Sequence, residues 1–366
     1  MDKNTLFLTK KDFDKNQIMK ILLDQKSQYT DSDKEILEII ISNLKNDRFQ
    51  LFSPQEIHFL ENSDTSQWSK YLIFRYKFLE FPKKRIVSEF PNYLLIEPVS
   101  ACNLRCVMCF QIDETFTKDK NFMGQMDIEL FKKTIDEAYE GGTQAITIAS
   151  RGEPTLHSKL GEMLEYCKGK FFEIKLNTNA TRLNEKLIHK ILQNDVTDVV
   201  FSVDSYTKKE YESIRVRGIF DDVLNNIKIF KEIKEKSYPN SKCATRVSGV
   251  KFDPNQNQEK FKEFWEKYVD HVVMVEIENR WDTYHNPKDI AGINPCDYLW
   301  ERMYVWFDGI CNPCDADYKS ELSVGNIQKN SLREIWDGEK FSKLRSMHLD
   351  SKRNLCYPCD RCPIGS

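Results

Sequence analysis

The sequence predicts an α/β fold, namely a partial (β/α)6 TIM-type barrel with a helical N-terminal region and a small cysteine-rich C-terminal domain. From about residue 92, apolar runs of strand length alternate with amphipathic helical segments, which is typical of a parallel sheet with crossover helices. Six such runs favour an incomplete barrel over closure by eight strands. We therefore divide the chain into residues 1–88, 89–285 and 286–366.

The N-terminal region contains charged and apolar residues at helical spacing, over residues 15–28 and 33–44. Ser53 followed by Pro54 is a typical helix start. No residue pattern here points to chemistry, so we interpret the region as a packing element rather than a docking element. The basic stretch at residues 81–85 is interpreted as a solvated linker.

The barrel region contains six candidate strands and five candidate helices. We predict the strands at residues 93–99, 145–149, 173–177, 198–203, 244–250 and 272–277. We predict the helices at residues 128–139, 158–167, 184–193, 220–234 and 258–268. In such barrels the loops at the carboxyl ends of the strands build the functional site. Polar or ligand-accommodating residues occur at or near the ends of these strands: Gly152, Glu153, Asn179, Ser202, Asp204 and Arg246.

The net charge and the hydropathy pattern argue against several classes of partner and location. The 366 residues carry a net charge of −3 without a long block of like charge, which argues against a nucleic-acid partner. The first residues lack the basic and apolar segments of a signal peptide. No apolar run approaches the length of a membrane span, so we expect no membrane partner and a cytoplasmic location.

The eleven cysteines are unevenly distributed. Cys167 and Cys243 stand alone and are interpreted as small buried apolar residues. Three others fall within eight residues, and six lie in the last part of the chain: Cys296, Cys311, Cys314, Cys356, Cys359 and Cys362. Such grouping predicts metal or iron–sulfur ligands rather than a disulfide framework.

The first group has the spacing C-x3-C-x2-C, formed by Cys102, Cys106 and Cys109 directly after the first predicted strand. Three thiolates on one short loop reach three corners of a small cluster and leave the fourth corner open. A structural zinc site is normally closed by four protein ligands, and no neighbouring histidine or cysteine offers the fourth. The spacing therefore favours an open cluster over zinc.

This loop, together with Gly152-Glu153-Pro154 after the second strand, resembles the radical S-adenosylmethionine (SAM) superfamily over roughly residues 89–285. The resemblance implies a [4Fe–4S] cluster held by the three cysteines, with SAM bound to the fourth iron. It also implies reductive cleavage of SAM to a 5′-deoxyadenosyl radical that abstracts a hydrogen atom from the substrate. Met108 departs from the family pattern, which usually has an aromatic residue before the third cysteine.

The same resemblance suggests which residues contact SAM. Gly152 and Glu153 match the family motif at the SAM amino group. Asn179, Ser202 and Asp204 correspond to positions near the ribose and carboxylate, and Arg246 is assigned to SAM as well.

The C-terminal cysteines resemble the SPASM and twitch extensions of radical SAM enzymes, which hold auxiliary [4Fe–4S] clusters. The long cysteine run of a two-cluster SPASM domain is absent, so the resemblance implies one auxiliary cluster. We assign four ligands to it: Cys296, Cys314, Cys359 and Cys362. Cys356 remains an alternative to Cys362. A zinc site built from the pairs Cys311-x2-Cys314 and Cys359-x2-Cys362 is the competing interpretation.

Residues 278–285 follow the last predicted strand and combine charged and aromatic side chains. Arg280 and Asp282, beside Trp281, suit a sugar or cyclitol-like substrate through hydrogen bonds and stacking. The favoured hypothesis is a radical SAM oxidoreductase acting on a small hydroxylated substrate, with an electron donor such as flavodoxin or ferredoxin. The alternatives are a peptide-modifying maturase of the SPASM type and a non-catalytic zinc-binding interaction protein.

Overall fold

The fold was analysed in a computed structural model, which describes residues 14–46, 53–277 and 282–364. The chain divides into two compact units, Met1–Val87 and Ser88–Ser366. No helix among the described residues has the length and apolar character needed to cross a membrane.

The first unit is helical, as predicted. Its described helices are α1 (Lys15–Gln25), α2 (Asp31–Lys45), α3 (Pro54–Asn62) and α4 (Trp68–Lys84). The predicted start at Ser53 and Pro54 is confirmed, because Ser53 and Glu56 form a reciprocal capping box. Arg75 of α4 makes a buried ion pair with Glu56, at 3.0 Å between Nε and Oε1.

The stretch at residues 81–85 is not a linker, contrary to the prediction. Helix α4 continues through Lys84 and includes Pro82 in its last turn. Tyr71 and Phe74 are buried on this helix, so packing stabilises it independently of local propensity. A proline near the end of a helix removes one backbone hydrogen bond, which this packing offsets. The helix ends at Arg85 in the left-handed conformation, with φ of 59°.

The second unit contains a nine-stranded sheet in the order β11-β10-β9-β1-β3-β4-β5-β7-β8, and a separate two-stranded ribbon of β2 and β6. The strands are β1 (Tyr93–Ile96), β2 (Arg105–Cys106), β3 (Ala145–Ile148), β4 (Glu173–Thr178), β5 (Asp198–Ser202), β6 (Arg215–Val216), β7 (Ala244–Lys251), β8 (His271–Glu276), β9 (Arg302–Val305), β10 (Ile310–Asn312) and β11 (Gly325–Asn326).

Ten helices belong to this unit within the described residues. They are α5 (Glu114–Thr117), α6 (Ile128–Gly141), α7 (Leu160–Cys167), α8 (Glu185–Gln193), α9 (Lys208–Ile214), α10 (Phe220–Ser237), α11 (Gln258–Trp265), α12 (Tyr298–Glu301), α13 (Leu332–Trp336) and α14 (Glu339–Leu349).

The six predicted strands correspond to β1, β3, β4, β5, β7 and β8, which pair in parallel as expected for crossover connections. The predicted fold class, a partial parallel barrel, is therefore confirmed. Alternate residues of these strands pack on the helices, and those of the central strands are fully buried: Leu94, Ile96, Ile146, Ile148, Ile174, Leu176, Val199, Phe201 and Val247. The main hydrophobic core thus lies between the sheet and its helices.

A seventh parallel strand, β9, pairs with β1 and was not predicted as part of the barrel. β9 also pairs antiparallel with β10, and the two strands form a hairpin around the turn at Asp308 and Gly309. Local periodicity does not reveal which distant strand a hairpin joins. The cysteine-rich segment is therefore continuous with the barrel sheet through β9, and the boundary at residues 285 and 286 stays a prediction.

Candidate functional site

The cysteine loop follows β1 at the carboxyl end of the parallel sheet. Cys106 is buried, while Cys102 and Cys109 are partly buried. Burial, with a smaller contribution from the neighbouring Cys106 thiolate, raises the pKa of Cys102 to about 11 and that of Cys109 to about 12. The three thiols thus lie near one another, and each must lose a proton when it becomes a metal ligand. A thiol-only set of this kind fits an iron–sulfur cluster.

The ribbon of β2 and β6 places Arg215 directly opposite Cys106. Arg215 Nη1 lies 3.9 Å from Cys106 Sγ as a donor, and its Nε lies 2.7 Å from Asp204 Oδ2. Asp204 is fully buried and also accepts a hydrogen bond from the Val250 backbone at 2.8 Å. A guanidinium held in place by a buried carboxylate therefore stabilises negative charge on the Cys106 sulfur.

Asn179 approaches the first cysteine of the loop. Its side-chain Nδ2 donates to Cys102 Sγ at 3.7 Å and to Asn103 Oδ1 at 3.0 Å. The Leu104 backbone N–H lies 3.4 Å from the same sulfur. The structure therefore brings the predicted residue Asn179 to the cysteine loop, where its amide lies against a sulfur.

Glu153 is buried, and both of its carboxylate oxygens accept hydrogen bonds from the protein. Oε1 accepts from the Thr178 hydroxyl at 2.6 Å and from the Thr155 hydroxyl at 2.7 Å. Oε2 accepts from the Asn179 backbone at 2.7 Å. Glu153 thereby ties the loop after β3 to the end of β4, next to the residue that contacts Cys102. Its predicted contact with the SAM amino group stays a prediction.

Gly152 lies against the segment that leads into the cysteine loop. A Cβ atom at this position would lie 2.2 Å from the Val99 carbonyl oxygen and 2.5 Å from that of Ala101. The Glu153 backbone N–H donates to the same Ala101 oxygen at 3.0 Å. Only a residue without a side chain permits this approach of the two backbones.

Two further predicted SAM contacts lie on the strands themselves. Ser202 is the last residue of β5 and is paired in register with Ser248 of β7, so both lie near the carboxyl ends of the strands. Arg246 is the third residue of β7, in register with Val200. Arg246 is therefore nearer the amino ends of the strands than the cysteine loop is, and this position does not favour the predicted contact with SAM.

Sequence reasoning missed a buried ion pair beneath the loops. Arg151 Nε and Nη2 donate to the two carboxylate oxygens of Glu97 at 2.7 and 2.6 Å. Arg151 Nη1 donates to the Tyr318 carbonyl at 2.9 Å and so ties the β3 loop to the cysteine-rich segment. Two features of the sequence could have indicated this pair: Glu97 directly follows the apolar run of β1, and Arg151 directly precedes Gly152.

The four cysteines assigned to the auxiliary cluster surround one cavity, whose empty volume is about 310 Å³. Its lining includes Cys296, Cys314, Cys359 and Cys362. Burial raises the pKa of Cys296 to about 11, and a thiolate at Cys362 adds to that shift. Burial and the thiolates of Cys359 and Cys362 raise the pKa of Cys314. The thiols face a shared space, and a thiol-only set around it fits an iron–sulfur cluster.

Arg353 also lines this cavity. Its guanidinium donates to the carbonyl oxygens of Cys362 at 2.9 Å, Asn294 at 2.9 Å and Cys359 at 3.3 Å. The segment that carries the last two cysteines is therefore held by side-chain to backbone hydrogen bonds.

The remaining two C-terminal cysteines lie outside the cavity lining. Cys311 is in β10 and packs in the main core, with its thiol 3.7 Å from the Gly309 carbonyl. Cys356 lies 3.7 Å from the Met347 sulfur. The zinc interpretation requires Cys311, and its position in the core does not favour that ligand set. Within the described ranges, no three Cys, His, Asp or Glu side chains converge on a site for a single metal ion.

The predicted substrate residues are only partly described. Arg280 and Trp281 lie outside the described residues. Asp282 is half-buried and its carboxylate contacts His285 Nδ1 at 2.6 Å. The role assigned to Arg280 and Asp282 stays a prediction.

Two family models match the chain. Residues 96–264 match the Radical SAM superfamily, and residues 296–363 match SPASM, an iron–sulfur cluster-binding domain. The chain contains a radical SAM domain and a SPASM domain. These two matches confirm the predicted cofactors, which are SAM and [4Fe–4S] clusters, while the individual ligand residues stay predictions.

Curated relatives of this chain include a protein named for biosynthesis and an enzyme named for maturation. One is the antilisterial bacteriocin subtilosin biosynthesis protein AlbA of Bacillus subtilis, 24% identical over 75% of this chain. The other is a cysteine-type anaerobic sulfatase-maturating enzyme of Clostridium novyi, 24% identical over 74% of this chain. The chain spans 66% of the length of the first relative and 84% of the second.

Among solved structures, SuiB of Streptococcus suis bound to the precursor peptide SuiA has a similar fold. The TM-score is 0.58 at 16% sequence identity, with 83% of this chain and 76% of that chain covered. At this identity the likeness supports the fold assignment alone.

Proposed function

We propose that this protein is a radical SAM enzyme whose reactive cluster is held by Cys102, Cys106 and Cys109. The observation that carries the proposal is the position of these thiols, which lie together on one loop at the carboxyl end of the parallel strands. When bound there, the reduced cluster supplies the electron that cleaves SAM and so starts hydrogen abstraction from the substrate.

Three side chains orient and tune this loop. Arg215 and Asn179 donate to the Cys106 and Cys102 sulfurs, which stabilises thiolate charge. Glu153 holds the Asn179 backbone by a hydrogen bond of 2.7 Å, which fixes the position of that amide. These contacts support a preorganised set of cysteine ligands, in which few protein groups need to rearrange when the bound cluster is reduced.

We assign the auxiliary cluster to Cys296, Cys314, Cys359 and Cys362. The cavity lies in the same compact unit as the cysteine loop. Arg151 links the two regions through its hydrogen bond to the Tyr318 carbonyl, four residues after Cys314. These four cysteines would hold a [4Fe–4S] cluster, which would supply an acceptor for the electron left on the substrate after hydrogen abstraction, so that the overall reaction would be an oxidation.

The substrate class that we favour is a small hydroxylated molecule, such as a sugar or cyclitol. The strand faces opposite the helices carry half-buried polar side chains: Asn177, Ser202 and Ser248. Hydroxyl and amide groups of this kind form hydrogen bonds with substrate hydroxyls. The net oxidation of an alcohol carbon fits an enzyme with one auxiliary cluster, and flavodoxin or ferredoxin is the expected electron donor.

A peptide substrate is the second candidate. It is favoured by the names of the two curated relatives, one a bacteriocin biosynthesis protein and the other a sulfatase-maturating enzyme. The peptide hypothesis and the small-molecule hypothesis assume the same reactive cluster and differ in the substrate that binds in the barrel.

The first test removes the ligands of the reactive cluster. In anaerobically reconstituted protein we expect about eight irons per chain, because two cubanes contain about eight. Replacement of Cys102, Cys106 and Cys109 by Ala should lower the iron content to about four and abolish SAM cleavage, measured as release of methionine and 5′-deoxyadenosine. The variant Cys243→Ala is the matched control. It should keep about eight irons, because Cys243 is packed in the hydrophobic core and is not one of the proposed ligands.

Persistent SAM cleavage in the triple variant would refute the assignment of the reactive cluster. A colourless zinc protein after anaerobic purification would instead favour the non-catalytic interaction protein. To separate the two substrate classes, SAM cleavage is measured with polyols and sugars in one series and with short peptides in another. The true substrate class should stimulate turnover, since productive binding commits SAM to hydrogen abstraction.

A further inference from the structure

The segment of Asp317, Tyr318 and Lys319 contacts the surroundings of both cysteine sites. It begins three residues after Cys314, one of the proposed auxiliary ligands. Asp317 and Tyr318 are 0% and 1% exposed, and the Lys319 side chain is 18% exposed. We call these three residues the bridging segment. Because protein interiors are close-packed, a buried segment of this kind moves only if its neighbours move as well.

On the auxiliary side, Asp317 lines the cavity together with Cys314. Its carboxylate accepts hydrogen bonds from the Tyr284 hydroxyl, from the Leu322 backbone N–H at 2.8 Å and from Asn312 Nδ2 at 3.1 Å. Asn312 Nδ2 also donates to the Cys314 carbonyl at 3.0 Å. One amide group therefore holds both the backbone of Cys314 and the first residue of the bridging segment, so a shift of Cys314 also moves Asp317.

On the reactive side, the Tyr318 ring stacks on Phe110, the residue directly after Cys109. The two ring centroids are 4.8 Å apart, and the ring planes are inclined by 16°. Phe116 packs against Tyr318 in an edge-to-face arrangement, with centroids 5.2 Å apart. The Tyr318 hydroxyl donates to Asp113 Oδ2 at 2.8 Å. The position of Phe110, and through the chain that of Cys109, therefore depends on Tyr318.

Tyr318 also contacts the loop after β3. Its carbonyl accepts a hydrogen bond from Arg151 Nη1 at 2.9 Å, and Arg151 is the residue before Gly152 in that loop. Gln111 Nε2 donates to the Arg151 carbonyl at 2.6 Å and so joins this loop to the cysteine loop. Tyr318 is thus stacked on or hydrogen-bonded to both loops of the proposed reactive site.

Tyr284 completes the connection to the auxiliary cavity. Its ring packs on that of Tyr318 with centroids 4.9 Å apart, and its hydroxyl accepts a hydrogen bond from the Lys319 backbone N–H at 3.0 Å. The same hydroxyl donates to Asp317, so each residue of the bridging segment contacts Tyr284. A change at the wall of the cavity therefore reaches Tyr318 through direct contacts.

We propose that Tyr318 is a positioning residue that couples the two cysteine sites. Ligation at the auxiliary site fixes Asp317, and Tyr318 transfers that constraint to Cys109 and to the loop after β3. The affinity for SAM therefore depends on whether the auxiliary site is complete. The inference rests on the proposed function, because it describes the regulation of that same reactive site.

The test is a double-mutant cycle on the anaerobically reconstituted protein, with the equilibrium affinity for SAM as the measured quantity. The single variants are Cys359→Ser, which removes an auxiliary ligand, and Tyr318→Leu, which removes the ring and its hydroxyl. We expect each to weaken SAM binding at least about fivefold, the lower end of the coupling measured between distinct sites. The double variant should bind SAM no more weakly than the weaker single variant, because both changes interrupt the same connection.

Tyr71→Leu is the matched control. Tyr71 is also fully buried and stacked on another ring, that of Phe59, but it belongs to the first unit of the chain. The variant makes the same side-chain change and should leave SAM affinity unchanged by itself. In combination with Cys359→Ser, it should leave the loss caused by that variant unchanged.

Two conservative variants separate the ring contacts from the hydroxyl contacts. Tyr318→Phe should retain SAM affinity, because the rings still pack and Asp113 keeps its ion pair with Lys319 at 2.8 Å. Tyr284→Phe removes the hydroxyl that joins Asp317 to the rings, and it should weaken SAM binding without a change in packing. Circular dichroism and iron content check that Tyr318→Leu is folded and loaded, and Tyr284→Phe tests the coupling independently of it.

Unchanged SAM affinity in a Cys359→Ser protein that has lost about four irons overturns the proposal. Losses that multiply in the double variant overturn it as well, since the effects of independent sites add in free energy. Equal losses in Tyr318→Leu and Tyr71→Leu would show general destabilisation and have the same consequence. If SAM binding follows the expected cycle but SAM is not cleaved, the proposed function fails while the coupling stands. If SAM is cleaved and the losses multiply, the reverse holds.

Discussion

Single residues beside the cysteine loop determine the electrostatics of its sulfurs. Arg215 is the charged residue that contacts a sulfur, and it is held by the fully buried Asp204. A positive group close to a cluster favours the reduced, more negative state and so raises its reduction potential. We therefore expect Arg215 to be a positioning residue for the proposed reactive cluster, acting through Cys106.

Replacement of Arg215 by Met should lower the reduction potential of the reactive cluster by on the order of 60 mV, equivalent to a tenfold change for a one-electron couple. The measurement is a redox titration followed by electron paramagnetic resonance. Arg217→Met is the control, because Arg217 is exposed two residues away. An unchanged potential in an Arg215→Met protein with full iron content would contradict this role.

At the scale of elements, the loops after β1 and β3 are in close backbone contact, so the position of one depends on the position of the other. The loop after β3 packs on the residues that precede Cys102, and Gly152 is the point of closest approach. Glu153 then joins this loop to the end of β4 through Asn179 and Thr178. A displacement of the β3 loop therefore moves the groups that contact the cysteines.

Gly152→Ala should disrupt the reactive cluster site, because its Cβ would overlap two backbone oxygens that cannot move as a side chain does. We expect loss of about half of the iron and a fall of about 1–3 kcal/mol in the free energy of unfolding. Iron analysis and chemical denaturation measure the two effects.

Gly161→Ala is the control for this change. Its Cβ would lie 3.3 Å from the flexible Lys190 side chain, and Gly161 is in helix α7. Alanine there should leave iron content unchanged and stabilise the helix by up to about 1 kcal/mol. Full iron content in Gly152→Ala would show that the β3 loop tolerates displacement.

At the scale of the whole molecule, the proposed auxiliary site combines cysteines from three distant segments. Cys296, Cys314 and the C-terminal pair Cys359 and Cys362 meet at one cavity. The cysteine-rich segment joins the barrel through β9, which extends the sheet beside β1. The strand next to the reactive loop is thereby in direct contact with the segment that carries the auxiliary ligands.

Cys359→Ser should lower the iron content of the reconstituted protein from about eight to about four, since it removes an auxiliary ligand. Cys356→Ser should keep about eight, although it lies only three residues away, because Cys356 is outside the cavity lining. Iron and sulfide analysis distinguishes the two. Loss of iron in Cys356→Ser with retention in Cys362→Ser would shift the ligand pair to Cys356 and Cys359.

Much of the fold was predictable because strands and helices have characteristic periodic patterns of apolar residues in the sequence. All six predicted barrel strands are present, and their starts match within one residue. The extent of α4 was not predictable from Pro82, since packing of distant apolar residues overrode that local signal. The pairing of β9 with β1 was equally hidden, because hydrogen bonds between strands depend on residues more than 200 positions apart.

The sequence alone predicted the family and the cofactors, because the three cysteines at C-x3-C-x2-C spacing form a proposed ligand set on one loop and need no distant partner. Tertiary structure decided what surrounds those ligands. Arg215 meets Cys106 only because β2 and β6 pair across more than 100 residues, and Arg246 is in register with Val200 only because β5 and β7 are neighbours. The spacing in the sequence predicts ligand sets that are close together in the chain. The side chains that contact, orient and enclose these ligands are distant in the sequence, and they come together only when the barrel forms.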